Sequence, residues 1–169
     1  MTAECADGRV AVLTNLRLLL VESWNTNLEV EQSTGITLEA LGVSVEDVSR
    51  LSCSGTPVLR MKSGEAFIFS PDGAKVPCGQ DADSATGVSH VPANTLHFVA
   101  GSEKSVFLNV SGVFECSFEN PSTKTGEAVK KLELEAAGGY ADVGVLGNAI
   151  YAAGGGTVEI ISGEVKNKV

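Results

Sequence analysis

Short apolar runs separated by glycine-bearing turns are the feature that most limits what this chain can fold into. Residues 28–31 and 36–39 alternate apolar and polar side chains, which is the period of a half-buried strand. Nineteen glycines stand against nine aromatic residues (six Phe, two Tyr and one Trp), and this balance suits short strands joined by tight turns. The pattern predicts a mainly β protein, folded as a small barrel or sandwich.

The leucine-rich segment 8–24, GRVAVLTNLRLLLVESW, is predicted to form a long strand. A helix remains an alternative for this segment, because Leu13, Leu16 and Leu20 also keep helical spacing. The strand is favoured because the residues that follow alternate with period two.

The two alternating stretches are predicted to form strands joined by a turn at residues 32–35, Gln-Ser-Thr-Gly. One short helix of about two turns is then predicted near residues 45–51. Ser44 and Asp47 form a passable capping pattern for its first turn, where acidic side chains are favoured.

Beyond residue 54 the pattern predicts β structure, with polar loops at residues 78–87 and 119–128. The longest apolar alternation, residues 105–118, is predicted to be a single strand. After a short strand and a turn at residues 62–64, the predicted strands are residues 66–70, 87–91, 95–99, 105–118, 128–136, 141–152 and 156–165.

Two passages repeat the same order of small motifs. A Gly-Glu-Ala triplet, a Gly-Val pair and a Ser-Gly pair occur in this order within residues 64–112 and again within residues 126–163. One three-stranded unit cannot bury its apolar face alone, whereas two facing units can. The predicted organisation is an N-terminal attachment region, residues 1–53, and a β core, residues 54–169, built from related units at about 60–115 and 122–165.

The charge and hydropathy patterns exclude several classes of partner. A net charge of −9 opposes binding to nucleic acid, which needs a basic face. No apolar stretch approaches the roughly 18 residues that a membrane helix needs. The first residues, Met-Thr-Ala-Glu-Cys, do not resemble a signal peptide, so we expect synthesis in the cytoplasm and release only by assembly or lysis.

The four cysteines, Cys5, Cys53, Cys78 and Cys116, are widely scattered. They form no CxxC motif, so a structural zinc site is not expected. Because a reducing compartment is expected, they are interpreted as small buried apolar residues and not as a disulfide framework.

No motif predicts catalysis, a cofactor or a metal site. His90 and His97 stand seven residues apart without a further ligand at metal-binding spacing, so surface or interface positions are expected. The aspartates near residues 72–83 lack the register of a calcium loop. No serine stands in a G-x-S-x-G frame, and the glycines at 154–156 indicate a hairpin turn rather than a phosphate loop.

Surface for partners is therefore the predicted functional element. The apolar density of residues 12–21 exceeds what one strand face can bury, which indicates packing on the core or against another subunit. Leu16, Leu18, Leu20 and Trp24 are the candidate interface residues. Trp24 suits either a core position or an interface anchor, and both alternatives are kept.

Three runs resemble the head-decoration (capsid cement) proteins of tailed bacteriophages. They are TGVSHVPANTLHFVAGSEKSVFLNVSGVFE, TGEAVKK and DVGVLGNAIYAAGGGTVEIIS, and the similarity spans roughly residues 60–165. Its motifs consist of glycine and valine rather than chemically reactive residues. The first sixty residues depart from the family pattern, because they are longer and more apolar than the family's short arm.

The resemblance implies a non-enzymatic virion protein on the capsid exterior, commonly a homotrimer, that bridges and stabilises major capsid protein subunits. The expected partners are the major capsid protein and copies of the chain itself, without nucleic acid, membrane or cofactor. The alternative function is a β-barrel binding module for a carbohydrate or small ligand. A pocket with converging carboxylates and Trp24 would favour that alternative.

Overall fold

The computed structural model describes residues 1–71, 73, 75–101, 104–118, 128–133, 141–146, 149–162 and 165–168. For residues 128–133, 165, 166 and 168 it describes the backbone alone. The fold is mainly β, as predicted, and consists of four antiparallel sheets. None of them closes into a barrel over these residues. Of the two predicted architectures, barrel and sandwich, the sandwich fits the structure.

The first sheet contains β1 (Thr2–Glu4), β2 (Val10–Leu13), β3 (Arg17–Trp24) and β4 (Val30–Thr37), paired in chain order. The second sheet contains β5 (Val48–Cys53), β6 (Pro57–Met61), β7 (Ala66–Phe69), β8 (Gln80–Asp83) and β9 (Val88–His90). Its order is β5-β6-β7-β9-β8, which leaves β8 at an edge.

The third sheet contains β10 (His97–Val99), β11 (Lys104–Asn109), β12 (Gly112–Ser117) and β13 (Ala128–Glu133). The fourth sheet contains β14 (Asp142–Leu146), β15 (Ala149–Gly154), β16 (Thr157–Ser162) and β17 (Val165–Lys168). Both sheets are meanders, in which each strand pairs with the next strand along the chain.

Three hydrophobic cores show that the sheets stack as layers. Leu18 and Leu20 of the first sheet pack with Leu59 of the second. The other face of the second sheet, at Ile68, packs with Phe107 of the third, whose opposite face packs on the fourth. The two inner sheets are thus covered on both faces, which explains the uninterrupted apolar strand AFIF at β7.

Several predicted elements differ from the observed ones. The helix predicted near 45–51 is wrong: Val45–Asp47 form one 3₁₀ turn, and β5 begins at Val48. The Ser44 side chain does accept a hydrogen bond from the Glu46 amide, so the predicted cap forms. The residues from Val48 onward pair with β6 as a strand and do not continue a helix. An α-helix lies earlier, at Leu38–Leu41, and is capped by Thr37.

Other predicted strands and turns are also corrected. The long strand predicted at 8–24 is the antiparallel pair of β2 and β3, and the strand predicted at 141–152 is divided between the paired strands β14 and β15. The turn predicted at residues 32–35 lies inside β4, which runs without interruption from Val30 to Thr37. The single strand predicted at 105–118 is the hairpin of β11 and β12, which turns at Val110 and Ser111. Part of the loop predicted at 78–87 is the edge strand β8, whereas the polar linker 119–127 lies outside the described residues.

The prediction that the cysteines are unpaired is wrong. Cys5 and Cys53 form a disulfide with their Cα atoms 4.7 Å apart, and Cys78 and Cys116 form another at 5.8 Å. The first bond joins the first sheet to β5, and the second joins the loop before β8 to β12. Each disulfide therefore ties together sheets that the apolar cores already hold in contact.

The predicted boundary between residues 53 and 54 falls inside the second sheet, where β5 pairs with β6. The predicted unit at 60–115 likewise begins within β6 and ends within β12 of the third sheet. The first 53 residues thus supply a complete sheet together with one strand of the next.

Candidate functional site

The structure separates the four candidate interface residues. Leu18 and Leu20 are buried, at 1% and 0% exposure, in the core between the first and second sheets. As core residues they offer no surface to another chain, and their assignment as interface residues is corrected accordingly. Period-two alternation places them on the inner face of β3.

Leu16 and Trp24 are both exposed, but they lie at opposite ends of β3. Leu16 occupies the turn before the strand, and Trp24 is its last residue. Eight residues of extended chain separate them by about 26 Å. They belong to two different parts of the surface, and the part near Trp24 contains the other exposed apolar residues of this hairpin.

The hairpin end between β3 and β4 is organised by one asparagine side chain. Asn25 Oδ1 accepts hydrogen bonds from the amides of Asn27 at 2.9 Å and Glu29 at 3.0 Å. Asn25 Nδ2 donates to Glu29 Oε2 at 2.8 Å, and the Leu28 amide donates to the Asn25 carbonyl at 3.0 Å. Asparagine is suited to this position because its short amide satisfies backbone groups within a turn.

Leu28 adopts the left-handed backbone conformation, with φ of 63°, at the tip of this hairpin end. A non-glycine residue in that region is strained, by about 1–2 kcal/mol for an ordinary L-residue. Its side chain is 80% exposed, so internal packing does not offset the strain. Strain of this kind concentrates where a protein holds a side chain ready for a ligand or partner.

Trp24 and Val30 face each other across the same hairpin as directly paired residues. They are 46% and 56% exposed, and Leu28, two residues before Val30, is 80% exposed, so this hairpin end carries three exposed apolar residues. We call Trp24, Leu28 and Val30 the hairpin cluster. Large aromatic and aliphatic side chains presented together are typical of protein–protein anchors.

The charges next to the hairpin cluster are acidic. Glu22, Glu29 and Glu31 occupy neighbouring positions on β3, the turn and β4. An apolar centre with an acidic rim is complementary to an apolar pocket with basic edges. This arrangement favours a protein partner and opposes an anionic surface.

A polar groove of about 660 Å³ lies at the other candidate site, between the β6–β7 turn, β8 and the segment 91–96. His90 Nδ1 lies 3.5 Å from Glu65 Oε1, and the His90 ring lies 4.9 Å from the Phe67 ring between centroids. Asp81 contributes a second carboxylate to the groove lining. The groove therefore contains groups that can donate to and accept from a polar ligand.

Thr95 contributes a buried hydroxyl to the groove. The residue is 7% exposed and lines the groove, and its Oγ1 has no hydrogen-bond partner among the described residues. Its carbonyl accepts from Arg60 Nη1 at 3.1 Å. A buried hydroxyl without a partner costs free energy that a ligand hydroxyl could recover.

The remaining candidate polar residues occupy separate places. His97, at the start of β10, does not line the groove, and its Nδ1 lies 3.5 Å from Asp142 Oδ1. Asp83 accepts from the Ala85 amide and the Thr86 hydroxyl, which lowers the pKa of its carboxyl. Asp72 lies outside the described residues.

Within the described parts of the chain, no three side chains of His, Cys, Asp or Glu are grouped closely enough to hold a metal ion. The glycine run forms the two-residue hairpin turn that the sequence predicted. Gly155 and Gly156 both have positive φ, at 58° and 78°, between the paired residues Gly154 and Thr157.

Comparison with known proteins does not assign the chain to a family. No family model matches it, and no curated protein matches it. Within the described residues, no helix is both long enough and apolar enough to cross a membrane.

Sequence reasoning found Trp24 but missed the hairpin end that presents it. The turn residues Asn25, Thr26 and Asn27 were the available signal, because asparagine is common in turns and tolerates local side-chain bonds. The alternation at residues 28–31 concealed the turn, since Leu28 was counted as the first residue of a strand.

Proposed function

We propose that this protein is a non-enzymatic structural protein that docks on an assembled protein shell through the hairpin cluster. The observation that carries the proposal is the exposure of Trp24, Leu28 and Val30 together on a hairpin end that Asn25 holds in place. A pre-organised apolar anchor loses little conformational entropy on binding, which favours a modest but specific contact.

The particular shell is the one that the sequence resemblance implies, the capsid of a tailed bacteriophage. In this proposal the protein decorates the capsid exterior as a homotrimer and bridges major capsid protein subunits. Three hairpin clusters in one trimer would engage the lattice together, so weak single contacts would add to a strong attachment. The acidic rim supports a basic patch on the capsid as the docking partner.

The two disulfides support a site of action outside a reducing cytoplasm. Disulfides persist in oxidising surroundings such as virion surfaces and are reduced in the cytosol of most cells. A chain made in the host cytoplasm would acquire Cys5–Cys53 and Cys78–Cys116 after release of the particle.

The experiment is a co-sedimentation assay with capsids that lack the protein. The double variant Trp24→Ala/Leu28→Ala should lose binding, whereas Leu146→Ala, which removes a side chain that is 73% exposed on the fourth sheet, should bind as the parent protein does. Binding to assembled capsids but not to isolated capsid subunits is expected. Unchanged binding of the double variant, with an unchanged thermal transition, would refute the docking surface, and the native mass tests the trimer.

A second candidate function is supported by the polar groove. A module that binds a carbohydrate or small polar ligand would use Thr95, Glu65, Asp81 and His90, whose donors and acceptors face one space of about 660 Å³. Trp24 is not part of its lining, so the aromatic platform expected for a sugar site is missing among the described residues. Saturable binding of a saccharide that Asp81→Asn and Thr95→Val both abolish would favour this function.

A further inference from the structure

We propose that Arg50 and Arg60 form a binding site for a tetrahedral, doubly charged oxyanion, a sulfate or phosphate group. The two arginines are direct partners across the β5–β6 pair. Directly opposed residues in an antiparallel pair have Cβ atoms about 5 Å apart, at which distance like charges destabilise the sheet. The site shares no residue with the hairpin cluster, whereas Arg60 also lines the polar groove that contains Glu65 and Asp81.

Neither guanidinium has a carboxylate partner in the described part of the chain. The ion pairs recorded there join Arg9 to Asp7, Lys104 to Glu115 and the two histidines to Glu65 and Asp142. Among the described residues, the Arg60 side chain donates to the backbone carbonyls of Gly64 at 3.3 Å and Thr95 at 3.1 Å. Although the protein has 21 acidic and 12 basic residues, these two neighbouring arginines form no ion pair within the described residues, which leaves both guanidinium groups able to bind an external anion.

The two arginines open into a small cleft where three sheets meet. Ser52 of the second sheet and His97 of the third line the same cleft, of about 70 Å³. A hydroxyl and an imidazole add donors to the two guanidinium forks, which match oxyanion geometry well. The volume holds a few water molecules, so it admits one oxyanion but not a sugar or a nucleobase.

The electrostatics of the cleft agree with this assignment. The pKa of Arg60 is lowered from its ordinary value, first because burial removes the guanidinium from water and second because the Arg50 charge lies nearby. A bound dianion would offset both effects. Asp142 also lines the cleft, but its carboxylate faces the His97 imidazole at 3.5 Å.

The test is titration of the full-length protein with sodium sulfate, followed by calorimetry and by the imidazole resonances of its two histidines. Sodium chloride at the same ionic strength is the reference. We expect saturable sulfate binding, with a dissociation constant on the order of 1 mM, that shifts the His97 resonances and leaves those of His90 unchanged. Chloride should shift neither histidine.

Arg50→Gln is the decisive variant, because Arg50 is exposed and its side chain makes no hydrogen bond among the described residues, while its backbone pairing in β5 is kept. It should weaken sulfate binding at least tenfold, whereas Arg17→Gln, which removes an exposed arginine of β3, should not. Arg60→Gln should act like Arg50→Gln if it folds. Methyl phosphate tests whether the bound group is a free ion or part of an ester. An affinity for methyl phosphate equal to that for sulfate would indicate that the site accepts a phosphate ester, and a weaker affinity would indicate that it binds the free ion. Absent saturable binding, or binding retained by Arg50→Gln, would overturn the proposal.

Discussion

The side-chain amide of Asn25 lies 2.8 Å from the carboxylate of Glu29 and closes the hairpin between β3 and β4. The same asparagine accepts two backbone amides, so a single residue sets the path of the chain through Leu28. The path of the chain through the proposed docking surface is thus set by local hydrogen bonds of one side chain. This local control allows its contribution to stability to be separated from its contribution to binding.

Leu28→Gly should raise stability and weaken docking. Glycine adopts positive φ without steric cost, so the backbone strain of the folded state is relieved. The greater chain entropy of glycine in the unfolded state offsets part of this gain, and the free energy of unfolding should increase by roughly 0.5–1 kcal/mol. Loss of the exposed side chain should lower capsid affinity about tenfold, measured by co-sedimentation. Asn94→Gly, at φ of 61°, is the control: it also places glycine at a left-handed position, but outside the hairpin cluster, so docking should not change. A stabilised variant that docks normally would exclude Leu28 from the contact.

Leu20→Ala and Leu16→Ala should differ sharply in stability. Leu20 is fully buried, so truncation should leave a cavity and cost about 2–5 kcal/mol in denaturant unfolding. Leu16 is 75% exposed, and its truncation should change stability by no more than about 0.5 kcal/mol. Similar losses of stability in the two variants would contradict the burial of Leu20 and the exposure of Leu16.

The double variant Cys5→Ser/Cys53→Ser should lose about 2–5 kcal/mol of stability. Removing the cross-link restores chain entropy to the unfolded state over a loop that spans 48 residues. Reduction of the parent protein with a dithiol should lower its melting temperature. In the double variant, any further decrease in melting temperature on addition of the dithiol measures the contribution of the Cys78–Cys116 disulfide alone. A melting temperature that the dithiol leaves unchanged would show that the disulfides are not formed in solution.

Gly87→Ala should destabilise the second sheet more than Gly64→Ala. Both glycines have positive φ, at 72° and 94°, so both substitutions incur backbone strain of about 1–2 kcal/mol. At Gly87 the added methyl group would also overlap the Ser70 carbonyl oxygen, whereas at Gly64 it would meet nothing within 4 Å. We expect a loss of about 3 kcal/mol or more for Gly87→Ala, measured by thermal unfolding. Equal losses would contradict the close approach of β9 to the end of β7.

Local pattern determined that the chain is mainly β and located some of its strands and turns. Alternation placed β7, β9 and β10 correctly, and the glycine pair at residues 155 and 156 turns as its backbone freedom requires. The same reasoning failed at residues 32–35 and 45–51, because pairing with β3 and β6 provides backbone hydrogen bonds that outweigh local turn or helix preference.

The sequence by itself determined a mainly β chain with a net negative charge, because these depend on periodicity and composition. Only the tertiary structure decided which leucines are buried, which cysteines pair, and that Arg50 stands opposite Arg60. Each of these depends on contacts between residues far apart in the chain or in different strands, such as Cys5 and Cys53. Spacing along a sequence carries no record of such contacts, since the register of the sheets and the stacking of their faces arise only when the apolar surfaces are buried together.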